Sequence, residues 1–232
     1  MAAAGIAAEE YHGASAGGTL LCRSAHLRAG CYACPAPASC GRLFKVDFLQ
    51  LVERRRAVRQ YRSTPVDRSV IERLINTAVL APSAMNLQPW AFAVVTGITR
   101  IDEYARRAKE YLIAEPRVLE LSVQARAMVN DPEFSMFYHA PVLLIVLAKV
   151  ESPQAREDCC LAAQTLMLAA RDAGLGTCWI GLGRPWLELP ETKFELGIPD
   201  NYHAVAPIVI GHPTAWPESH GRQPAEIHWL TP

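Results

Sequence analysis

The chain has 232 residues, half of them hydrophobic and a fifth charged, which excludes global disorder and fits one domain with or without an appendage. Lys plus Arg equals Asp plus Glu at 23 each, so no bulk charge recommends a nucleic acid or an anionic membrane as partner. The longest apolar run, from Pro141 to Ala148, is strand-sized and far short of the ~20 residues that span a bilayer.

Residues 1 to 45 differ from the rest of the chain. They are rich in Ala, Gly, Ser and Pro and show no sustained periodicity. They carry Cys22, Cys31, Cys34 and Cys40, four of the seven cysteines. An odd cysteine count without a secretory signal favours free thiols and a cytoplasmic protein. One Cys-x2-Cys with two loose partners fits neither an iron–sulfur set nor a zinc site well, so no metal is assigned. The expectation is a disordered extension, with an orderly domain over 46 to 232. The pattern starts abruptly at Val46, which suggests a native start near there. An intact mass that includes residues 1 to 45 would refute that start.

Val46, Leu49, Val52 and Val58 predict an amphipathic first helix running into the arginines. Asp67 is placed to cap a second helix, whose apolar face is Val70, Ile71, Leu74, Ile75 and Ala78, and Pro82 ends it. A strand is predicted over Trp90 to Thr96. Residues 100 to 130 read as helical with an interruption at Pro116. Val142 to Lys149 is aliphatic enough for a central buried strand. Glu157 to Ala173 is a long helix with apolar residues on most faces, as expected of a helix buried on several sides or in a subunit interface. Gly174 and Gly176 close it. A short strand over Thr177 to Gly181, a helix over 186 to 196 and a last strand over Ala204 to Ile210 complete an α+β domain. Its sheet is expected to be mixed and mostly antiparallel, flanked by helices.

Four segments carry chemistry. Arg54-Arg55-Arg56-Ala57-Val58-Arg59 concentrates four guanidinium groups in six residues of a neutral protein. Guanidinium forks match phosphate oxygens bidentately, although a charge run can also be a solvated face. Pro82-Ser83-Ala84-Met85-Asn86-Leu87-Gln88 joins a helix to a strand with amide side chains, which both donate and accept hydrogen bonds. Such a loop can equally satisfy its own backbone. Gly174-Leu175-Gly176-Thr177-Cys178-Trp179-Ile180-Gly181-Leu182-Gly183 lets backbone approach a flat ligand closely, but lacks the G-x-G-x-x-G fingerprint. Arg222 follows the turn Gly211-His212-Pro213. Aromatic residues are not interleaved with the arginines, which argues against a nucleic-acid platform.

In this order the segments resemble the nitroreductase family: an arginine pair with a third arginine three residues on, a Pro-Ser-x-x-Asn-x-Gln-Pro-Trp segment, a Gly-Leu-Gly-x-Cys-Trp-Ile-Gly segment after a long helix, a Gly-His-Pro turn and a late basic residue before a proline. The resemblance covers roughly 46 to 229. It implies an intertwined homodimer of nitroreductase-like fold that binds FMN at the subunit interface. It also implies ping-pong transfer of hydride from NAD(P)H through flavin N5 to an electron-poor small molecule such as a nitroaromatic or quinone. Specialised relatives on the same fold would be a reductive dehalogenase, an enone reductase or a flavin-destroying enzyme. A non-enzymatic flavin- or metal-binding protein is the reading from another class.

Carried over by residue, Arg55, Arg56 and Arg59 match the early FMN motif. Arg55 and Arg222 would hold the 5′-phosphate, and Arg59 would lie near the pyrimidine end of the ring. Ala57 stands where the family often has Ser, so a contact there comes from backbone. Pro82, Ser83 and Asn86 would approach the ring and ribityl chain, from the partner subunit in a dimer. Gly181, Leu182 and Gly183 would offer backbone near N5. No protein acid is assigned, and His139 is read as structural. The family shapes its substrate pocket with the segment corresponding to residues 100 to 138, which here includes Tyr104, Tyr111, Phe134, Phe137 and Tyr138.

Overall fold

The computed structural model describes residues 47–115 and 120–230. The expectations for residues 1 to 45 and for Pro116 lie outside them.

The first helix, α1 (Phe48–Arg54), starts at Asp47, whose carboxylate accepts a hydrogen bond from the Leu49 N–H. It buries none of its own residues and ends before Arg55, which already has extended backbone angles. The expected helix through Val58 is therefore too long. Val58 belongs to a following extended segment and is 1% exposed there. The second helix, α2 (Arg68–Ala78), occupies the expected span and buries Ile71, Leu74 and Ala78. Asp67 stands at its N-cap but makes no side-chain cap bond, and the helix ends at Ala78, ahead of Pro82.

Strand β1 (Trp90–Thr96) matches its expected limits. Helices α3 (Ile98–Ala114) and α4 (Val123–Asn130) divide the predicted 100–130 region. Strand β2 (Val142–Ala148) is buried at all seven positions. Helix α5 (Pro153–Asp172) begins four residues before the expected start, because Ser152 caps it by accepting from the Ala155 N–H and Pro153 fits its first turn. Within one subunit its burial is one-sided. Ala155, Asp158, Cys159, Ala162, Ala163, Leu166, Met167 and Ala170 form one buried stripe, while Leu161 is 46% exposed.

Gly174, at φ +74°, takes the left-handed conformation that ends α5. Strand β3 (Gly176–Trp179) starts and stops earlier than expected. The helix predicted over 186 to 196 is two, α6 (Arg184–Leu187) and α7 (Pro190–Leu196). Leu189 precedes a proline and is pushed into the extended region, so the helix breaks there. Strand β4 (His203–Gly211) closes the domain.

The four strands pair in the order β1-β2-β4-β3, all antiparallel. Among the described residues, parallel pairing is confined to one isolated bridge, Ala57 to Thr177. Side chains alternate across the sheet, so β2 splits between two cores. Val142, Leu144, Val146 and Ala148 pack with α2 and α5, whereas Leu143, Ile145 and Leu147 pack with α3, Phe137 and Trp186. Two-sided burial explains why β2 is a continuous aliphatic run.

Candidate functional site

The arginine segment becomes a site because it is held in extended form. Val58 N–H donates to the Thr177 carbonyl at 2.9 Å, Arg62 N–H to the His212 carbonyl at 2.8 Å, and Thr214 N–H to the Gln60 carbonyl at 3.1 Å. Residues 57 to 62 thus lie between β3 and the turn after β4, which brings the chain's early arginines beside its last segment. Val58 seats against Gly176, where a Cβ would lie 2.7 Å from a Val58 methyl. Only glycine permits this contact.

Arg55, Arg56, Ala57, Arg59 and Gln60 line a cavity of about 470 Å³ together with Trp216, Glu218, His220 and Arg222. The structure therefore unites five predicted residues from two distant segments. Among the described residues, none of the four arginines has a carboxylate ion-pair partner. Arg56 donates from Nη1 to the Arg55 carbonyl at 2.7 Å, and Arg222 from Nη1 to the Gly221 carbonyl at 2.7 Å. The Arg56 Nε is buried and has no acceptor among the described residues. Burial lowers the Arg55 pKa, and the neighbouring Arg222 and Arg56 charges lower it further. Like charges that crowd this way are relieved by a bound anion.

Beneath the arginines lies a neutral polar layer. Burial pushes the Cys178 thiol up, partly offset by Arg59 and Arg55, so it is a protonated thiol near neutral pH. Burial also lowers the pKa of Arg59, but the anionic tendencies of Cys178, Tyr138 and Tyr61 outweigh this and raise it. Its guanidinium sits 5.9 Å from the Tyr138 ring centre. Tyr61 donates from its hydroxyl to the Val58 carbonyl at 2.6 Å, pinning the turn of the segment.

The other predicted residues lie outside this cavity. Pro82, Ser83 and Asn86 sit in a loop with Met85, Asn86 and Gln88 at positive φ. Ser83 Oγ accepts from the Gln88 N–H at 3.0 Å, Gln88 Nε2 donates to Asn86 Oδ1 at 2.9 Å, and Ala84 N–H donates to the buried Asp158 at 3.1 Å. The loop is ordered by its own bonds, yet Met85 is 92% exposed at its tip. Gly181, Leu182 and Gly183 form a short 3-10 turn between β3 and α6, with Gly183 pressed against Phe137.

Sequence reasoning missed Gln60, Trp216, Glu218 and His220. Their signal was weak: a run with no periodicity after Gly211-His212-Pro213. Of the aromatic residues in the 100–138 segment, Tyr104 and Phe137 are buried in the core. The exposed ring of His139 places Nδ1 2.9 Å from Asp102 of α3, away from the arginine cavity.

The model of the Nitroreductase family matches residues 52–212. A "Putative NADH dehydrogenase/NAD(P)H nitroreductase" of Methanothermobacter thermautotrophicus is 29% identical over 76% of this chain and 83% of that protein. A "5,6-dimethylbenzimidazole synthase" of Rhodospirillum rubrum is 30% identical over 70% of this chain and 80% of its own length. A crystal structure of a nitroreductase with bound FMN from Desulfitobacterium hafniense superposes with a TM-score of 0.69 at 22% identity, over 79% of this chain and 97% of that one. This last likeness confirms the fold.

Proposed function

Because the chain belongs to the nitroreductase family, we propose that it is an FMN-dependent oxidoreductase that takes hydride from NAD(P)H and passes two electrons to an electron-poor small molecule, such as a nitroaromatic or a quinone. The observation that carries this reading is the convergence of Arg55, Arg56, Arg59 and Arg222 on one cavity, with no carboxylate ion-pair partner to any of them among the described residues. The residues fit a phosphate-bearing flavin. Arg55 and Arg222 come from separate segments and can fork around a phosphate. The buried Arg56 Nε, which has no acceptor among the described residues, suits an anionic oxygen. Ala57 brings no hydroxyl, so contact there falls to backbone.

Bound FMN would supply the two-electron chemistry. The chain's own part is to hold and bias it. Arg55 and Arg222 fix the phosphate end, and Arg59 contributes a permanent positive charge towards the ring system that favours electron uptake. Cys178 and Tyr138 keep Arg59 in place without adding charge of their own near neutral pH. Gly181, Leu182 and Gly183 offer backbone to the ring. Pro82, Ser83 and Asn86 complete the site from the partner subunit of a homodimer, which reconciles their order with their distance from the arginine cavity. Exposed apolar side chains support that dimer: Met85 and Leu87 on the loop, Phe48, Leu49 and Val52 on α1, and Ile227, Trp229 and Leu230 in the tail.

The test is the visible absorbance of the purified protein before and after NADPH is added without oxygen. Flavin bands that bleach support the reading. A colourless protein that also takes up no added FMN ends it. The likeness to a 5,6-dimethylbenzimidazole synthase favours one second reading, in which that base is the product. Mass analysis of the products formed from FMN, NADPH and oxygen separates the two.

A further inference from the structure

The positive charge gathered at and beside the cavity, six guanidinium groups against the one carboxylate of Glu218 in its wall, exceeds what one phosphate monoester needs. A phosphomonoester carries about −1.5 to −2 at neutral pH, and Arg55, Arg56, Arg59 and Arg222 already line its pocket. Two more guanidinium groups lie beside them. Arg54 ends α1 and Arg171 stands in the last turn of α5, and these helices pack together. Arg171 lies over the ring of Trp216, 3.4 Å from its centre, and Trp216 is part of the cavity wall. The pKa of Arg171 is lowered by burial and then by the charges of Arg54 and Arg56. Neither Arg54 nor Arg171 has a carboxylate ion-pair partner among the described residues. Helix C-termini favour cations, which accounts for an arginine at each end. It does not account for the charges of Arg54 and Arg56 both bearing on Arg171 while none of the three has a carboxylate ion-pair partner among the described residues.

We propose that Arg54, Arg56 and Arg171, backed by Trp216, form a second phosphate subsite next to the flavin-phosphate pocket, and that it takes the ribose 2′-phosphate of the dinucleotide donor, making the enzyme selective for NADPH over NADH. This rests on the flavoenzyme reading. The chemistry that singles out the ligand is a second dianionic phosphate on a molecule that must dock beside the first. NADPH has one at its ribose, and NADH lacks it. Arg56 is shared by both subsites, so the new site is probed through Arg54 and Arg171.

The experiment is calorimetric titration of the FMN-loaded protein with adenosine 2′,5′-bisphosphate and with adenosine 5′-monophosphate, for wild type, Arg54→Ala and Arg171→Ala. KM is measured for both dinucleotides alongside. The bisphosphate is expected to bind wild type more tightly. Each variant is expected to weaken it on the order of tenfold, as loss of a charge-assisted hydrogen bond does. The NADPH KM should rise by a similar factor while FMN content and the NADH KM hold. Equal binding of the two nucleotides to wild type, or variants that shift NADPH and NADH together, overturns the proposal. A wild-type protein that takes up no FMN overturns the flavoenzyme reading as well. Arg171→Ala also removes the Trp216 contact. If it fails to fold, Arg54→Ala, at an exposed helix end, decides the matter.

Discussion

Gly176→Ala is the substitution from which most can be learned, because it couples stability to the site. A methyl group there would lie 2.7 to 2.8 Å from three carbon atoms of Val58. Val58 is β-branched and 1% exposed, so it cannot turn aside. Overpacking of this kind costs about 1–3 kcal/mol, and contact with three atoms at once points to about 2–3. For a domain of this size each kcal/mol lowers Tm by about 2–4 °C, so a fall of about 4–12 °C is expected. Relief requires residues 57 to 59 to move off β3, which displaces Arg59 and loosens FMN.

Val58→Ala alone leaves a small cavity costing about 2 kcal/mol. The double substitution should restore both the packing and the FMN affinity, with a coupling of at least about 1 kcal/mol. Urea denaturation and FMN titration of all four proteins measure the cycle. Additivity within about 0.5 kcal/mol would show that Gly176 does not seat the arginine segment.

Arg55→Ala or Arg222→Ala should each weaken FMN by about 1.5–3 kcal/mol, roughly 10- to 150-fold, with a loss that shrinks as salt rises. Fluorescence titration at two ionic strengths checks it, and unchanged affinity would move the phosphate elsewhere. Burial, with Cys160 and Asp158 beside it, pushes the Cys159 thiol up from 9.0 to about 12. The folded state then keeps a proton that the unfolded thiol releases above pH 9. The stability it confers is complete below that pH and is lost as pH rises towards 12, by about 1.4 kcal/mol per pH unit at most. Cys159→Ala should flatten the alkaline limb of a denaturation series, and an unaltered limb would assign it to other groups. Asp158 accepts from Ala84 N–H through Oδ1 while Oδ2 is buried with no partner among the described residues. Asp158→Ala should cost about 1–3 kcal/mol and speed amide exchange at Ala84, whereas Asp158→Asn, which keeps the acceptor, should cost less. Equal effects would mean that the charge and not the hydrogen bond matters.

Much of this protein was legible in local pattern. The aliphatic run of β2, the strand limits of β1 and the apolar face of α2 follow from periodicity, because burial on two faces or one imposes its own spacing on a sequence. The arginine cluster was visible as chemistry, since four guanidinium groups in six residues stand out in a neutral chain, whereas Arg222 was singled out only by the family resemblance. Helix ends were less legible. The lengths of α1 and α5 and the break at Leu189 depended on caps and a proline whose effect competes with periodicity. Tertiary structure alone decided that residues 57 to 62 leave the helix and lie between β3 and the turn after β4. That placement needs backbone hydrogen bonds to Thr177 and His212 and a glycine at 176 to admit Val58, partners more than a hundred residues away. Only that pairing brings Arg55 and Arg59 to Arg222, adds Trp216 to the wall, and sets Arg54 and Arg171 beside them. A sequence can supply charged groups, but their convergence depends on long-range strand pairing, which leaves no local periodicity to read.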